Sequence, residues 1–164
     1  MAGTRGWSVS VRIREATPAD WSAVAALLAE LGRPDVRDTD QEAEARQIYE
    51  QYLVRPDAVA LVVESDGLVV GLLNIEFRAW LNFTAPQAWI PDLVVADGAR
   101  GRGIGGALLI RAEEIARSRG CWSMTLESAT WRERAHAFYV SHGWMETGRA
   151  FTRLLTDVQW PPAP

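Results

Sequence analysis

Between the apolar run Leu93-Val94-Val95 and an amphipathic stretch from about Gly103 to Arg119 stands the segment Arg100-Gly101-Arg102-Gly103-Ile104-Gly105-Gly106. Glycines let a backbone come close to a ligand, successive N–H groups can point inward, and the start of the following helix adds positive potential. Arg100 and Arg102 contribute full charges, so the segment suits an anion, a pyrophosphate in particular. Three uses compete. Gly101, Gly103 and Gly106 satisfy G-x-G-x-x-G, and Glu127 ends the next strand where a dinucleotide-binding unit would need an acid. However, the first glycine lies well past Val95, and too little chain follows for a second nucleotide-binding half. The other uses are a plain helix start and a cradle for another phosphate-bearing cofactor, and the cradle is favoured.

Composition narrows the chemistry further. The chain has 164 residues, 48% hydrophobic and 23% charged, with a net charge of −4, which describes one ordinary globular domain. No apolar stretch approaches the ~20 residues of a membrane span. Residues 1–10 lack the continuous apolar core of a secretion signal, which points to the cytoplasm. Cys121 is the only cysteine, and with 2 histidines it cannot build a usual zinc site, so no metal is expected. All 17 basic residues are arginine, which removes the lysine of a Walker loop and any Schiff-base route. The acidic balance argues against a nucleic-acid partner and for a cationic one.

The elements that would position the glycine segment follow from periodicity. Val9, Val11 and Ile13 alternate as a first strand, and Thr17-Pro18-Ala19-Asp20 reads as a helix start. Trp21, Val24, Ala25, Leu28 and Leu31 then repeat at helical spacing until Gly32 and Pro34. A more polar helix covers about Thr39 to Leu53. Val59–Glu64 and Leu68–Phe77 flank the turn Ser65-Asp66-Gly67 as an antiparallel hairpin. A strand at Trp89–Val95, the helix after the glycines, a strand at Trp122–Glu127 and a helix at about Arg132–His142 follow. Apolar segments around Trp144 and Phe151–Leu155 read as closing strands. The expected fold is α/β, a mixed α+β arrangement with a central twisted sheet of six to seven strands flanked by about four helices. Residues 9–158 would form a single domain, residues 1–8 a flexible N-terminus, and residues 159–164 a proline-rich tail that reads as a frayed end more readily than as a PxxP ligand.

The run LVV at Leu93 to Val95, followed by Arg100, Gly103 and Gly105 opening a helix, resembles the acyl-CoA loop of the GNAT superfamily N-acetyltransferases. Ala135 to Trp144, AHAFYVSHGW, resembles that superfamily's late helix, with Tyr139 at its tyrosine and Gly143-Trp144 at its Gly-aromatic ending. Together with the element order, the resemblance covers most of the chain. It implies two neighbouring strands that splay apart, with the pantetheine arm of acetyl-CoA bonded by the backbone of Leu93, Val94 and Val95. The pyrophosphate would lie on Arg100, Gly101, Arg102, Gly103, Ile104, Gly105 and Gly106, leaving the thioester at a cleft. The sequence departs from the pattern at Asp97-Gly98-Ala99, at Arg132, where many relatives carry an Asn that contacts the cofactor, and at Pro91, which cannot donate to a ladder.

Acetyl transfer to an amine needs an unprotonated nitrogen, stabilisation of an oxyanion and a proton for the departing thiolate. The family pattern assigns the proton to Tyr139, whose phenol stays protonated at neutral pH. Asp92, Glu127 and Glu76 are candidate bases; Asp92 is favoured because several relatives carry an acid before the LVV-like run, and proton loss through water is the alternative. Cys121 beside Trp122 reads as core, and His136 as a packing residue.

The acceptor would be the primary amine of a small molecule or peptide. In the resembling family its cleft is walled by the segments corresponding to Gly32–Gln41 and Ala79–Ala88. These segments, together with the residues beside them, supply Asp35, Asp38, Asp40 and Glu42 together with Trp80, Phe83 and Trp89, which would suit a cation. The same acids also suit the N-terminus of the second helix, facing water. A homodimer would be supported by tryptophan-rich closing strands. The rival in a different class is a non-catalytic acyl-CoA-binding or regulatory module.

Overall fold

The computed structural model describes residues 11–156. The expected N-terminal segment 1–8, the start of the first strand at Val9 and the tail 159–164 lie outside the described residues. Six strands form one sheet: β1 (Val11–Glu15), β2 (Ala58–Ser65), β3 (Leu68–Arg78), β4 (Gln87–Ile90), β5 (Leu93–Val95) and β6 (Ser123–Leu126). The path runs β1-β2-β3-β4-β6, with β5 paired to β3, and every pairing is antiparallel except β4 with β6. Four helices cover it: α1 (Trp21–Glu30), α2 (Glu42–Leu53), α3 (Ile104–Ser118) and α4 (Glu133–Ser141).

The β2–β3 hairpin forms where the sequence places it. Ser65 pairs with Leu68 across Asp66 and Gly67, which have φ of +52° and +79°, the left-handed pair that a two-residue hairpin turn requires. Neighbouring residues of β2 and β3 feed opposite cores. Val62 and Leu72 join Trp21, Val24, Leu27 and Tyr49 under α1 and α2, whereas Leu61, Val63, Leu73 and Ile75 join Ile104, Leu108 and Ala112 of α3.

The expected strand at Trp89–Val95 is two strands. Leu73 pairs with Leu93, but Glu76 pairs with Trp89, so three steps on β3 oppose four across β4 and β5. This is a one-residue bulge at Pro91-Asp92, at a proline that has no N–H for the ladder. Asn74 bridges the break: its side-chain oxygen accepts the Asp92 N–H at 2.9 Å, and its own N–H donates to the Asp92 carbonyl at 3.2 Å. Since β6 pairs with β4 alone, β5 and β6 part beyond Ile90 and Leu126.

The closing strands are corrected. Residues 144–156 contain no strand, and Met145, Phe151 and Leu155 stand exposed. Alternating apolar residues make a strand only where a neighbour supplies the ladder and a core takes one face; neither is present for this segment among the described residues. Trp144 instead caps α4, donating its N–H to the Tyr139 carbonyl at 3.1 Å.

The start of α1 hangs on Asp20, which is only 7% exposed. Its carboxylate accepts two N–H groups from Arg14 at 2.8 Å each, plus the Thr17 N–H at 2.8 Å and the Thr17 hydroxyl at 2.9 Å. The Arg14 hydrogen bonds outweigh burial and hold this carboxyl at about 2, below its ordinary 3.8. The depressed value contributes stability that is complete above about pH 4 and is lost as pH falls towards 2. Asp20→Ala removes the shared acceptor, leaves Arg14 with the Glu64 carboxylate and the Glu15 carbonyl, and is expected to cost about 3 kcal/mol in urea unfolding at neutral pH. The deficit should shrink as the wild type is titrated towards pH 2; an equal deficit at both pH values would contradict the assignment.

Candidate active site

Arg100 turns back to the end of β5, where its Nε donates to the Val95 carbonyl at 3.0 Å and its guanidinium pairs with Asp97. These contacts brace the loop. Gly101 and Gly103 both have φ of +77°, with open space where a Cβ would stand. The first helical bond of α3 runs from the Ala107 N–H to the Gly103 carbonyl at 3.0 Å. Six consecutive N–H groups, residues 101–106, therefore have no acceptor among the described residues. With exposed Arg102, which enters no ion pair among these residues, they form a positive concavity.

Gly105 and Gly106 have a different reason to be glycine. A Cβ on Gly105 would meet the Phe138 ring at 3.1 Å, and one on Gly106 would meet His142 Nε2 at 2.7 Å. The His142 ring is fixed there by Nδ1, 2.8 Å from the Phe138 carbonyl, and by the Phe138 ring 4.4 Å away. These two glycines seat α4 on the first turn of α3. Sequence pattern alone assigns all four glycines to the anion.

Where β5 and β6 part, a cleft of about 160 Å³ opens, lined by Arg33, Pro91, Leu93, Glu127, Arg132 and Tyr139 among others. Tyr139 lies between the Phe138 and Trp144 rings, at 5.4 and 6.0 Å. Burial pushes its phenol above 10, only partly opposed by the Arg132 charge, so it remains protonated at neutral pH. Asp92 has an occupation that the sequence did not indicate: its Oδ1 accepts Arg33 Nε at 2.9 Å and Nη2 at 2.7 Å. Arg33 follows a helix-ending glycine, and nothing in its local pattern marks it. Arg132 donates from Nη2 to the Leu31 carbonyl at 2.6 Å, tying the start of α4 to the end of α1. Glu127 enters no ion pair or side-chain hydrogen bond among the described residues.

Other candidates fall elsewhere. Glu76 pairs with Arg55 at 3.3 Å and Arg78 at 3.9 Å, outside the cleft lining. Cys121 packs against the α3-side core, and burial raises its thiol. Trp80 and Phe83 do not reach the cleft. Trp80 meets Trp122 edge-on at 5.5 Å and Phe83 stacks on it at 4.5 Å, beside the Gln87–Ser123 end of β4 and β6, some 10 Å along the strands from Ile90 and Leu126. Trp89 lies under Arg78, whose guanidinium carbon is 3.3 Å from the ring centre. Asp35 bonds Arg37, which lowers its carboxyl to about 2, and Glu42 accepts the Asp38 N–H and the Trp21 indole N–H. These two acids serve the turn before α2. Among the described residues no cluster of His, Cys, Asp or Glu is placed to hold a metal, and no helix is long and apolar enough to cross a membrane.

Comparison with known proteins gives one consistent outcome. The model of the acetyltransferase (GNAT) family matches residues 21–144. The chain is 32% identical over 143 residues to the aminoalkylphosphonate N-acetyltransferase of Salmonella typhimurium, covering 87% of this chain and 90% of that one. A transcriptional regulator from Bacillus halodurans has a similar fold, with a TM-score of 0.81 over 89% of this chain and 100% of that one, at 24% identity. An aminoglycoside N-acetyltransferase in complex with CoA superimposes with a TM-score of 0.75 at 19% identity, over 94% of this chain and 100% of that one.

The packing role of Gly106 is testable. Gly106→Ala is expected to cost about 1–3 kcal/mol by forcing His142 off its seat. The Gly106→Ala/His142→Ala double variant should be less unstable than the two single losses added together. Strict additivity of the two losses in thermal unfolding would contradict the contact.

Proposed function

The chain belongs to the acetyltransferase (GNAT) family and is an N-acetyltransferase, and we propose that it moves the acetyl group of acetyl-CoA directly onto a primary amine of a small molecule or peptide. The observation that carries the cosubstrate is the row of six N–H groups at residues 101–106 without acceptors among the described residues, in a chain whose cleft holds a protonated phenol. Their glycine conformations, open space and positive end fit a pyrophosphate, and Arg102 adds a full charge. Leu93, Val94 and Val95 fit the pantetheine amides, because β5 pairs with β3 on one side and, among the described residues, no strand takes its other edge. Bound there, acetyl-CoA supplies an activated acetyl thioester.

The chain's own residues do the remaining work. Glu127, facing the cleft, takes the ammonium proton through water so that the nitrogen lone pair is available. As the C–N bond forms and the C–S bond breaks, Tyr139 gives its phenolic proton to the departing sulfur, and the remaining excess proton on the new amide nitrogen passes to the phenolate through water, leaving a neutral amide, the free thiol and a protonated phenol. Asp92 would then act as a positioning residue that holds Arg33 against the cleft wall, leaving the base role to Glu127. No covalent enzyme intermediate is required, and Cys121 stays in the core. The cytoplasm is the compartment assigned to this reaction.

Tyr139→Phe tests the acid. Loss of the phenol should lower kcat by about 10²–10⁴-fold, with acetyl-CoA affinity measured by calorimetry essentially unchanged. Unaltered kcat would remove Tyr139 from the reaction.

A further inference from the structure

We infer that the acceptor amine carries an anionic group, and that Arg132 selects it. The inference rests on the acetyl-transfer reading above and concerns the same cleft. Three charged side chains named above line that cleft: Arg33, Arg132 and Glu127. Arg33 is neutralised by Asp92. Arg132 and Glu127 each lack an ionic partner among the described residues; Arg132 donates only to the neutral Leu31 carbonyl. One cation and one anion without ionic partners, facing one small space, are complementary to a zwitterion. Its ammonium goes to Glu127 and its phosphonate, phosphate or carboxylate to Arg132, whose forked donors match such oxyanions.

The cosubstrate's own phosphates do not account for Arg132. The phosphate cradle touches the far end of α4, where Phe138 and His142 meet Gly105 and Gly106. Ten residues of helical rise set Arg132 about 15 Å from His142 along that axis. Its guanidinium also donates to the Leu31 carbonyl just past the end of α1. The aromatic cluster that would serve a purely cationic acceptor lies at the other end of β4 and β6. The placement therefore favours a small amino acid, aminophosphonate or amino-sugar phosphate over a polyamine.

The test compares matched acceptors by thiol release: 2-aminoethylphosphonate against propylamine, and glucosamine 6-phosphate against glucosamine, with spermidine as a polycation. For at least one pair, the wild-type protein is expected to prefer the anionic member by roughly 10- to 100-fold in kcat/KM. Arg132→Met should bring that ratio towards one and Arg132→Lys should restore part of it. Equal use of both members, or preference for spermidine, would overturn the inference while leaving N-acetyl transfer intact. Failure of every amine to release thiol, with acetyl-CoA bound, would overturn both. A parallel loss of acetyl-CoA affinity in Arg132→Met would reassign the guanidinium to the cosubstrate.

Discussion

The cleft exists because one strand carries one residue too many. Pro91 cannot donate to the β3 ladder, and Asp92 slips past Asn74 with a side-chain bond in place of the regular pattern. β4 therefore keeps its parallel pairing with β6, while β5 continues on β3 alone. Among the described residues an edge of β5 is left without a strand, and beside it opens the space into which Tyr139, Glu127 and Arg132 face. A regular strand here would carry the pairing onward, and neither the free edge nor the space would form.

The second constraint is that α4 is held at both ends. Its late residues Phe138 and His142 sit against the glycine pair that opens α3. Its first residues are tied by Arg132 to the carbonyl of Leu31. Between these anchors Tyr139 is packed by two rings, so the phenol is fixed relative to the glycine loop that opens α3 and to the bulge. A proton donor needs that positional certainty more than it needs a shifted pKa, since an ordinary phenol already holds its proton at neutral pH.

The legible parts of this architecture were those written in local rules. Asp66-Gly67 specifies its turn through two positive φ values, the α3 helix shows its stripe, and Gly101 and Gly103 mark a left-handed loop. Pro91 signalled irregularity without showing that it divides the strand. What stayed hidden depends on pairs distant in sequence. Arg33 meets Asp92 across 59 positions, Arg132 meets Leu31 across 101, and no periodicity announces either. Gly105 and Gly106 were visible as glycines, but their reason lies in rings more than 30 residues away. Phe151 to Leu155 shows the reverse case, an alternating pattern with no ladder to join.

The claim on which the rest depends is that the amides of residues 101–106 are the phosphate seat of acetyl-CoA. Amide chemical-shift mapping of the 15N-labelled protein tests it most directly, with NAD as the control ligand. The account predicts saturable shifts at residues 101–106 and 93–95 on adding acetyl-CoA, and none at these positions with NAD. Shifts with NAD alone, or acetyl-CoA binding that leaves residues 101–106 unmoved, would contradict it.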